Sequence, residues 1–337
     1  MDYRARVEGC LYGLALGDAL GAPTEFMKYA AIVEKWGPMG RSEPPSPIAY
    51  VTDDTQMALA VGEALMSLAN FRLAGPREWA DALGREFLLW YASPDNNRAP
   101  GITCMQSLDR LKSGKPWRDA TEPSSKGCGA NMRVQPVGLL TDKHGYSVKK
   151  RAQLAQLQAA ITHAHPTALA ASELTAHAIH LLVAGLDPAD LPQRLLSHAE
   201  GQVGVYHEET LGDLYEKAGA SSGAAYINRG WNEMRHSMEK LQKALEKPDR
   251  DSDPGLKTGH GWTAEEALAT ALHCFLLFVD EPVMAIRRGA ATGGDSDSIA
   301  CIAGALAGAY HGVEAWPQQW RQRIEYRERI QKLADWY

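Results

Sequence analysis

Gly293-Gly294-Asp295-Ser296-Asp297-Ser298 runs directly into Ile299-Ala300-Cys301-Ile302-Ala303-Gly304-Ala305-Leu306-Ala307-Gly308. A glycine turn offers two carboxylates and two hydroxyls, and a helix of small and apolar residues follows at once. Ser and Asp are good helix caps, and an acid in the first turn suits the positive end of the helix dipole. On a surface helix, capping alone would account for the motif. A helix this apolar belongs in the interior, so its acidic start lies inside the molecule or in a cleft, where carboxylates need partners. The remaining sequence is read for those partners.

The first partner is at the other end of the chain. Gly9, Gly13, Gly17 and Gly21 recur every four residues along the helical segment 3–20 and at its end, which puts four glycines on one helical face. Gly304 and Gly308 give the last apolar helix a similar face, so the two helices are expected to pack closely. Arg4 and Arg6 before an apolar run imitate a short signal peptide, but Asp18 interrupts it. No apolar run reaches the roughly 20 residues needed to span a bilayer.

The 337 residues are 45% hydrophobic and 23% charged, with a net charge of −6 spread along the chain. This is an ordinary globular composition, and no basic block points to nucleic acid. Five scattered cysteines without a CxxC pair suit reduced thiols in a cytoplasm. Helical periodicity predicts helices opening at Thr52-Asp53-Asp54-Thr55 and over 76–92, 101–113, 147–162, 166–184, 263–279 and 281–291. An amphipathic tail follows Pro317. Segments 37–48, 93–100 and 121–131 read as loops. No run of β-branched alternation is long enough for a sheet. The prediction is an all-α single domain over 1–337, with 200–262 as a less regular, variable insertion that includes a charged helix near 230–247. Trp79, Phe87 and Trp90 read as core.

Two helix starts now carry paired acids, Asp53-Asp54 and Asp295/Asp297, each beside a hydroxyl (Thr52, Ser298). Glu25 follows the first helix. Two like charges 4 Å apart repel by about 4 kcal/mol at an effective dielectric of ~20, and several such pairs would rival the ~5–15 kcal/mol stability of a domain. If the acids converge, they must be protonated, spread apart or filled with cations. An oxygen-only ligand set suits hard ions such as Mg²⁺ or Mn²⁺, and five carboxylates could hold two. Neither Asp295-x-Asp297 nor Asp249-x-Asp251-x-Asp253 completes an EF-hand loop, and the second reads as a solvated linker.

The residues that define these segments resemble a known family: Gly13-x-x-x-Gly17-Asp18-x-x-Gly21-x-Pro23-x-Glu25, Thr52-Asp53-Asp54-Thr55-x-Met57, Gly127-x-Gly129-x-x-Met132-Arg133, Thr162-His163 and the opening motif. In that order, over nearly the whole chain, they look like the ADP-ribosylglycohydrolase family. The resemblance implies a single-domain orthogonal helical bundle with two Mg²⁺ or Mn²⁺ ions at the bottom of a cleft. It implies metal ligation by Thr52, Asp53, Asp54, Asp295, Asp297 and Ser298, with Glu25 at the metal edge. It places the diphosphate on the loop Ser124-Ser125-Lys126-Gly127-Cys128-Gly129, where glycines let backbone amides approach phosphate. His163 would contact ADP-ribose, Asp53 would serve both metal and ribose, and Trp262 would lie beside the adenosine.

The implied reaction is hydrolysis of the bond from the ribose anomeric carbon to a protein side chain. Glu25, Asp54 and Asp297 are the candidates for proton transfer. Arg98-Ala99-Pro100-Gly101-x-Thr103-Cys104 and Ser298 are similar to features of the arginine-specific branch, which makes ADP-ribosylarginine the leading substrate. Serine, acyl ester or nucleic acid linkages are the alternatives within the same chemistry. Other readings are an immunity protein against an ADP-ribosylating toxin, or an inert binding or structural relative, against which every motif acid is present. The implied partner is an ADP-ribosylated protein or ADP-ribose, with no membrane.

Two further motifs lead elsewhere. Gly219-Ala220-Ser221-Ser222-Gly223 matches a nucleophile-elbow pattern but lacks the strand that an elbow requires. His177 and His180 lie one helical turn apart without the partners of a zinc site.

Overall fold

A computed structural model describes residues 2–337. Thirteen helices of eight residues or more make the body: α1 Tyr3–Gly21, α2 Tyr29–Trp36, α3 Asp53–Met66, α4 Pro76–Tyr91, α5 Ile102–Lys112, α6 Val148–Ala160, α7 Pro166–Val183, α8 Leu191–Gly201, α9 Gly223–Glu246, α10 Ala264–Leu277, α11 Pro282–Ala290, α12 Ser296–His311 and α13 Arg327–Trp336. The described residues form no sheet, only isolated bridges such as Glu122 with His163 and Gly127 with Thr263. The protein is all-α, and none of its described helices is long and apolar enough to cross a membrane. All five cysteines are free and buried.

The central pair is α1 on α12. Every residue of α12 from Ser296 to Ala309 is buried, as is α1 from Gly9 onward. The glycine face makes this contact possible. A Cβ on Gly9, Gly13, Gly17 or Gly21 would come under 3.0 Å from the backbone around Gly308, Gly304, Ala300 and Asp297 respectively. The four-residue spacing therefore runs in step with α12 along its whole length and ends at the acidic motif. Gly289 of α11 meets Ala300 from another side, and the Trp316 indole N–H donates to Gly9 O at 2.8 Å. Trp79 and Phe87 of α4 are buried in the main core, as their spacing predicts.

The segment 200–262 is more ordered than its composition suggests. Its helix α9 starts at Gly223, capped by Ser222, whose hydroxyl accepts from Ala225 N–H at 3.1 Å. The residue after Ser221, the serine of the elbow-like pattern, is thus a helix cap, and a helix start rather than a strand-to-helix elbow holds the pattern. Tyr226, Ile227, Trp231, Met234, Met238 and Leu241 of α9 are buried, and the backbone at Gly230 touches Pro166 at the start of α7.

Candidate active site

Three helix ends meet at the floor of one cleft. The approach of Gly21 to Asp297 sets the end of α1 against the start of α12, and the Ser296 hydroxyl donates to Gly21 O at 3.1 Å. Four residues beyond Gly21, Glu25 lies beside the same motif. Glu25, Asp295 and Asp297 each present an oxygen within 4.8 Å of the other two. The start of α3 supplies the third side. The Thr52 hydroxyl is 3.3 Å from Asp54 Oδ2 and 3.4 Å from Asp297 Oδ2, so the two distant Asp motifs share one hydroxyl. Asp53 turns toward the loop after α4 and accepts from Gly101 N–H at 3.1 Å.

Asp18, which the sequence showed only as a charge within an apolar run and as a member of the family motif, orders this arrangement. Its carboxylate is fully buried. It accepts from Thr52 N–H at 3.0 Å, Thr55 N–H at 3.1 Å, the Thr52 hydroxyl at 2.9 Å and the Thr55 hydroxyl at 2.5 Å. α1 therefore caps α3 from outside, satisfying N–H groups that a helix start leaves unpaired. It also commits the Thr52 proton, because a hydroxyl has only one to give. At 3.3 and 3.4 Å the same oxygen then faces Asp54 and Asp297 with lone pairs.

The site is consequently an oxygen cluster short of positive charge. Burial, followed by the neighbouring Asp297, raises the pKa of Glu25 to about 9 and of Asp18 to about 7. Burial pushes Asp54 and Asp295 well above the usual carboxylate range, with Asp297 as the next cause for both. Asp54 Oδ1 is buried with no hydrogen-bond partner. Such a group costs several kcal/mol in isolation, and a divalent cation would satisfy it. Hard carboxylate and hydroxyl oxygens suit Mg²⁺ or Mn²⁺, so the residues present fit the metal that the sequence implies.

The cleft has a volume of about 330 Å³, within the range of small-molecule sites. Its walls include Glu25, Asp53, Asp54, Asp295, Asp297 and Ser298 below, and Gly127, Cys128, Gly129, His163 and Trp262 above. Those predicted residues are brought together. Ser124, Ser125 and Lys126 are not among the lining. The Ser124 hydroxyl donates to Glu122 at 2.8 Å, and Ser125 and Thr103 hydroxyls meet at 3.0 Å. Lys126 Nζ donates to Glu233 at 2.8 Å and Glu265 at 2.5 Å. The lysine therefore ties the glycine loop to α9 and α10, and its side chain is held between two carboxylates.

Two other residues had no clear sequence signal. Asp253, read as part of a solvated linker, is buried. It accepts from Gly255 N–H at 2.9 Å and Gly293 N–H at 3.3 Å, which fixes the glycine turn ahead of Asp295. The isolated Asp-x-Asp-x-Asp spacing hid this long-range contact. Phe26 follows Glu25, has φ of +64° and is 67% exposed, against 44% for Trp262. The two rings stack with centroids 5.4 Å apart and form an apolar lip on the cleft.

The chain is similar over its length to proteins of one family. The model of the ADP-ribosylglycohydrolase family matches residues 1–337. ADP-ribosylhydrolase ARH3 of Mus musculus is 28% identical, over 98% of this chain and 90% of the relative. ADP-ribosylarginine hydrolase Tri1 of Pseudomonas putida is 27% identical over 98% and 76%. ADP-ribosyl-[dinitrogen reductase] glycohydrolase of Rhodospirillum rubrum is 25% identical over 95% and 90%. A solved structure, an ADP-ribosylglycohydrolase-related protein complex, superposes with a TM-score of 0.65 at 26% identity, covering 99% of this chain and 96% of that one. With its acids gathered as the sequence implied and the family pattern matched from end to end, the chain belongs to the ADP-ribosylglycohydrolases, a family of hydrolases.

Proposed function

We propose that the protein removes ADP-ribose from modified protein side chains, with ADP-ribosylarginine as the leading substrate, using two Mg²⁺ or Mn²⁺ ions. The observation that carries this reading is the meeting of Glu25, Thr52, Asp54, Asp295 and Asp297 at a cleft floor, with partnerless acceptor capacity. Thr52, Asp53, Asp54, Asp295, Asp297 and Ser298 would hold the ions, with Glu25 at their edge. Bound there, the ions supply positive charge that neutralises the carboxylates and polarises ribose and water oxygens.

The chain's own residues do the rest. The glycine loop Gly127–Gly129 offers a backbone wall for the diphosphate, and His163 flanks it. Asp53, anchored by Gly101, faces the cleft where a ribose hydroxyl would sit. Glu25 is half-buried with a raised pKa. Placed at the edge of the ions, it is a candidate to pass a proton to the leaving group, and Asp54 and Asp297 are the other candidates for that transfer. The arginine preference rests on Ser298 and the Arg98–Cys104 run. In the latter, the Arg98 guanidinium is paired with Glu325, Nη2 to Oε1 at 2.9 Å. It steadies the loop that carries Gly101.

Release of ADP-ribose from arginine-, serine- and ester-linked substrates, with Mg²⁺ and with a chelator, tests the reading. Arginine-linked substrate should turn over fastest, and the chelator should stop it. Asp53→Ala and Asp295→Ala should fall to background with an unchanged circular dichroism spectrum. Near-native release by either variant would remove the metal role. Protection of cells against an ADP-ribosylating toxin by both variants would point instead to a blocking immunity protein.

A further inference from the structure

Behind the glycine loop lies a buried cation without an ion pair. Arg133 has no solvent exposure. Its Nε donates to Gln158 Oε1 at 2.8 Å, and its Nη2 donates to Gln158 O at 2.7 Å and to Thr162 Oγ1 at 2.8 Å. Its guanidinium carbon lies 4.3 Å from the centre of the Phe87 ring. Thr162 Oγ1 is in turn 2.8 Å from Nδ1 of His163. The other imidazole nitrogen looks onto the loop: a methyl placed on Gly129 or Gly127 would lie 3.2 or 3.5 Å from His163 Nε2. Gly127, Gly129 and His163 all line the cleft.

Donor arithmetic decides the direction of this chain. A guanidinium has only protons to give, so Thr162 must accept from Arg133. The hydroxyl then has one proton to place. In reach are His163 Nδ1 and the Cys104 sulfur, and sulfur is the weaker acceptor. The proton goes to the nitrogen. Nδ1 is then an acceptor, and the imidazole proton sits on Nε2, facing the cleft.

We propose that Arg133, acting through Thr162, is a positioning residue that fixes His163 in the Nε2–H tautomer, so that the imidazole presents a standing donor to an oxygen of bound ADP-ribose. The ligand named here rests on the function proposed above; the relay itself does not. Burial, and then the charge on Arg133, hold the His163 pKa at about 3, so the ring is neutral at any working pH. Without the relay, nothing in reach keeps the proton off Nδ1, and the Nδ1–H tautomer, which offers the ligand a lone pair, becomes populated. An oxygen of the diphosphate or ribose would then be repelled.

The test is the ¹⁵N spectrum of the imidazoles in the ligand-free full chain, with the His163 signal assigned by its loss in His163→Gln. The wild type should show a neutral ring protonated on Nε2. Thr162→Val leaves Arg133 in place but cuts the relay. It should shift the ring toward Nδ1–H and weaken ADP-ribose binding about tenfold, the value of one hydrogen bond. Thr162→Ser should restore both. An Nδ1–H ring or an imidazolium in the wild type would overturn the relay, as would a wild-type spectrum in Thr162→Val. If Arg133 and Thr162 were only structural, Thr162→Val would lower the melting temperature and leave the tautomer alone. A wild-type protein that failed to bind ADP-ribose would sink the proposed activity and its ligand, while the ligand-free spectrum would still decide the relay.

Discussion

At the scale of single residues, the site depends on which acid each proton serves. Asp18 takes four donors from the start of α3. Asp18→Asn would keep the shape and turn part of that surface into a donor, setting N–H against N–H. Residues behind a metal ligand typically contribute 10- to 100-fold. The expected result is a loss of about that size in kcat/KM and in Mg²⁺ affinity, read by steady-state kinetics and calorimetry. An unchanged Mg²⁺ affinity would show that Asp18 only caps a helix. The metal-ligand candidates were legible in the sequence because an acid pair at the start of an apolar helix is a local conflict. The roles of Asp18 and Asp253 were not. Each acts through hydrogen bonds to backbone far away in sequence, and such contacts leave no local pattern.

Among the elements, the pairing of α1 with α12 sets the geometry. Gly13→Ala would push a methyl into the backbone at Gly304, which cannot yield, so a loss of about 3 kcal/mol is expected. Gly62→Ala is the control. There the new methyl meets only the end of the Leu333 side chain, and a helix-propensity gain of about 1 kcal/mol offsets the repacking. Urea denaturation should separate the two variants by a wide margin in midpoint, and Gly13→Ala should also lose activity as Glu25 is levered away from Asp297. Periodicity made the glycine face readable, as it did α3 to α7. Two helices escaped it. The eight residues of α2 are too short to establish a period, and α8 begins at Leu191-Pro192 after a run rich in Pro and Asp. The long helix α9 was visible only from near residue 230 onward, the part that reaches the glycine loop through Glu233 and Lys126.

For the whole molecule, the acid cluster ties stability to pH and to divalent ions. Folded-state values of about 9 for Glu25 and about 7 for Asp18 and Asp53 lie above those of the unfolded chain. The folded protein therefore holds protons that the unfolded chain has released. Their contribution to stability is complete below about pH 4 and is lost as pH rises through 7 to 9. With a chelator, the melting temperature should fall across that window. With Mg²⁺ it should fall less or rise, because the ion binds the deprotonated folded state. An ion at a hundred times its Kd adds about 2.7 kcal/mol. Identical melting curves with and without the ion at pH 8 would contradict a metal site.

The contact between Gly21 and Ser296 joins positions 275 residues apart. At about 5–20 residues per second of synthesis, α1 leaves the ribosome roughly 15–60 s before the helix it packs against exists. Throughout that interval its glycine-and-leucine face has no native mate. Nascent-chain survival in the cell should therefore depend on holdase chaperones that shield this face, and the catalytic floor can be completed only after translation is nearly finished.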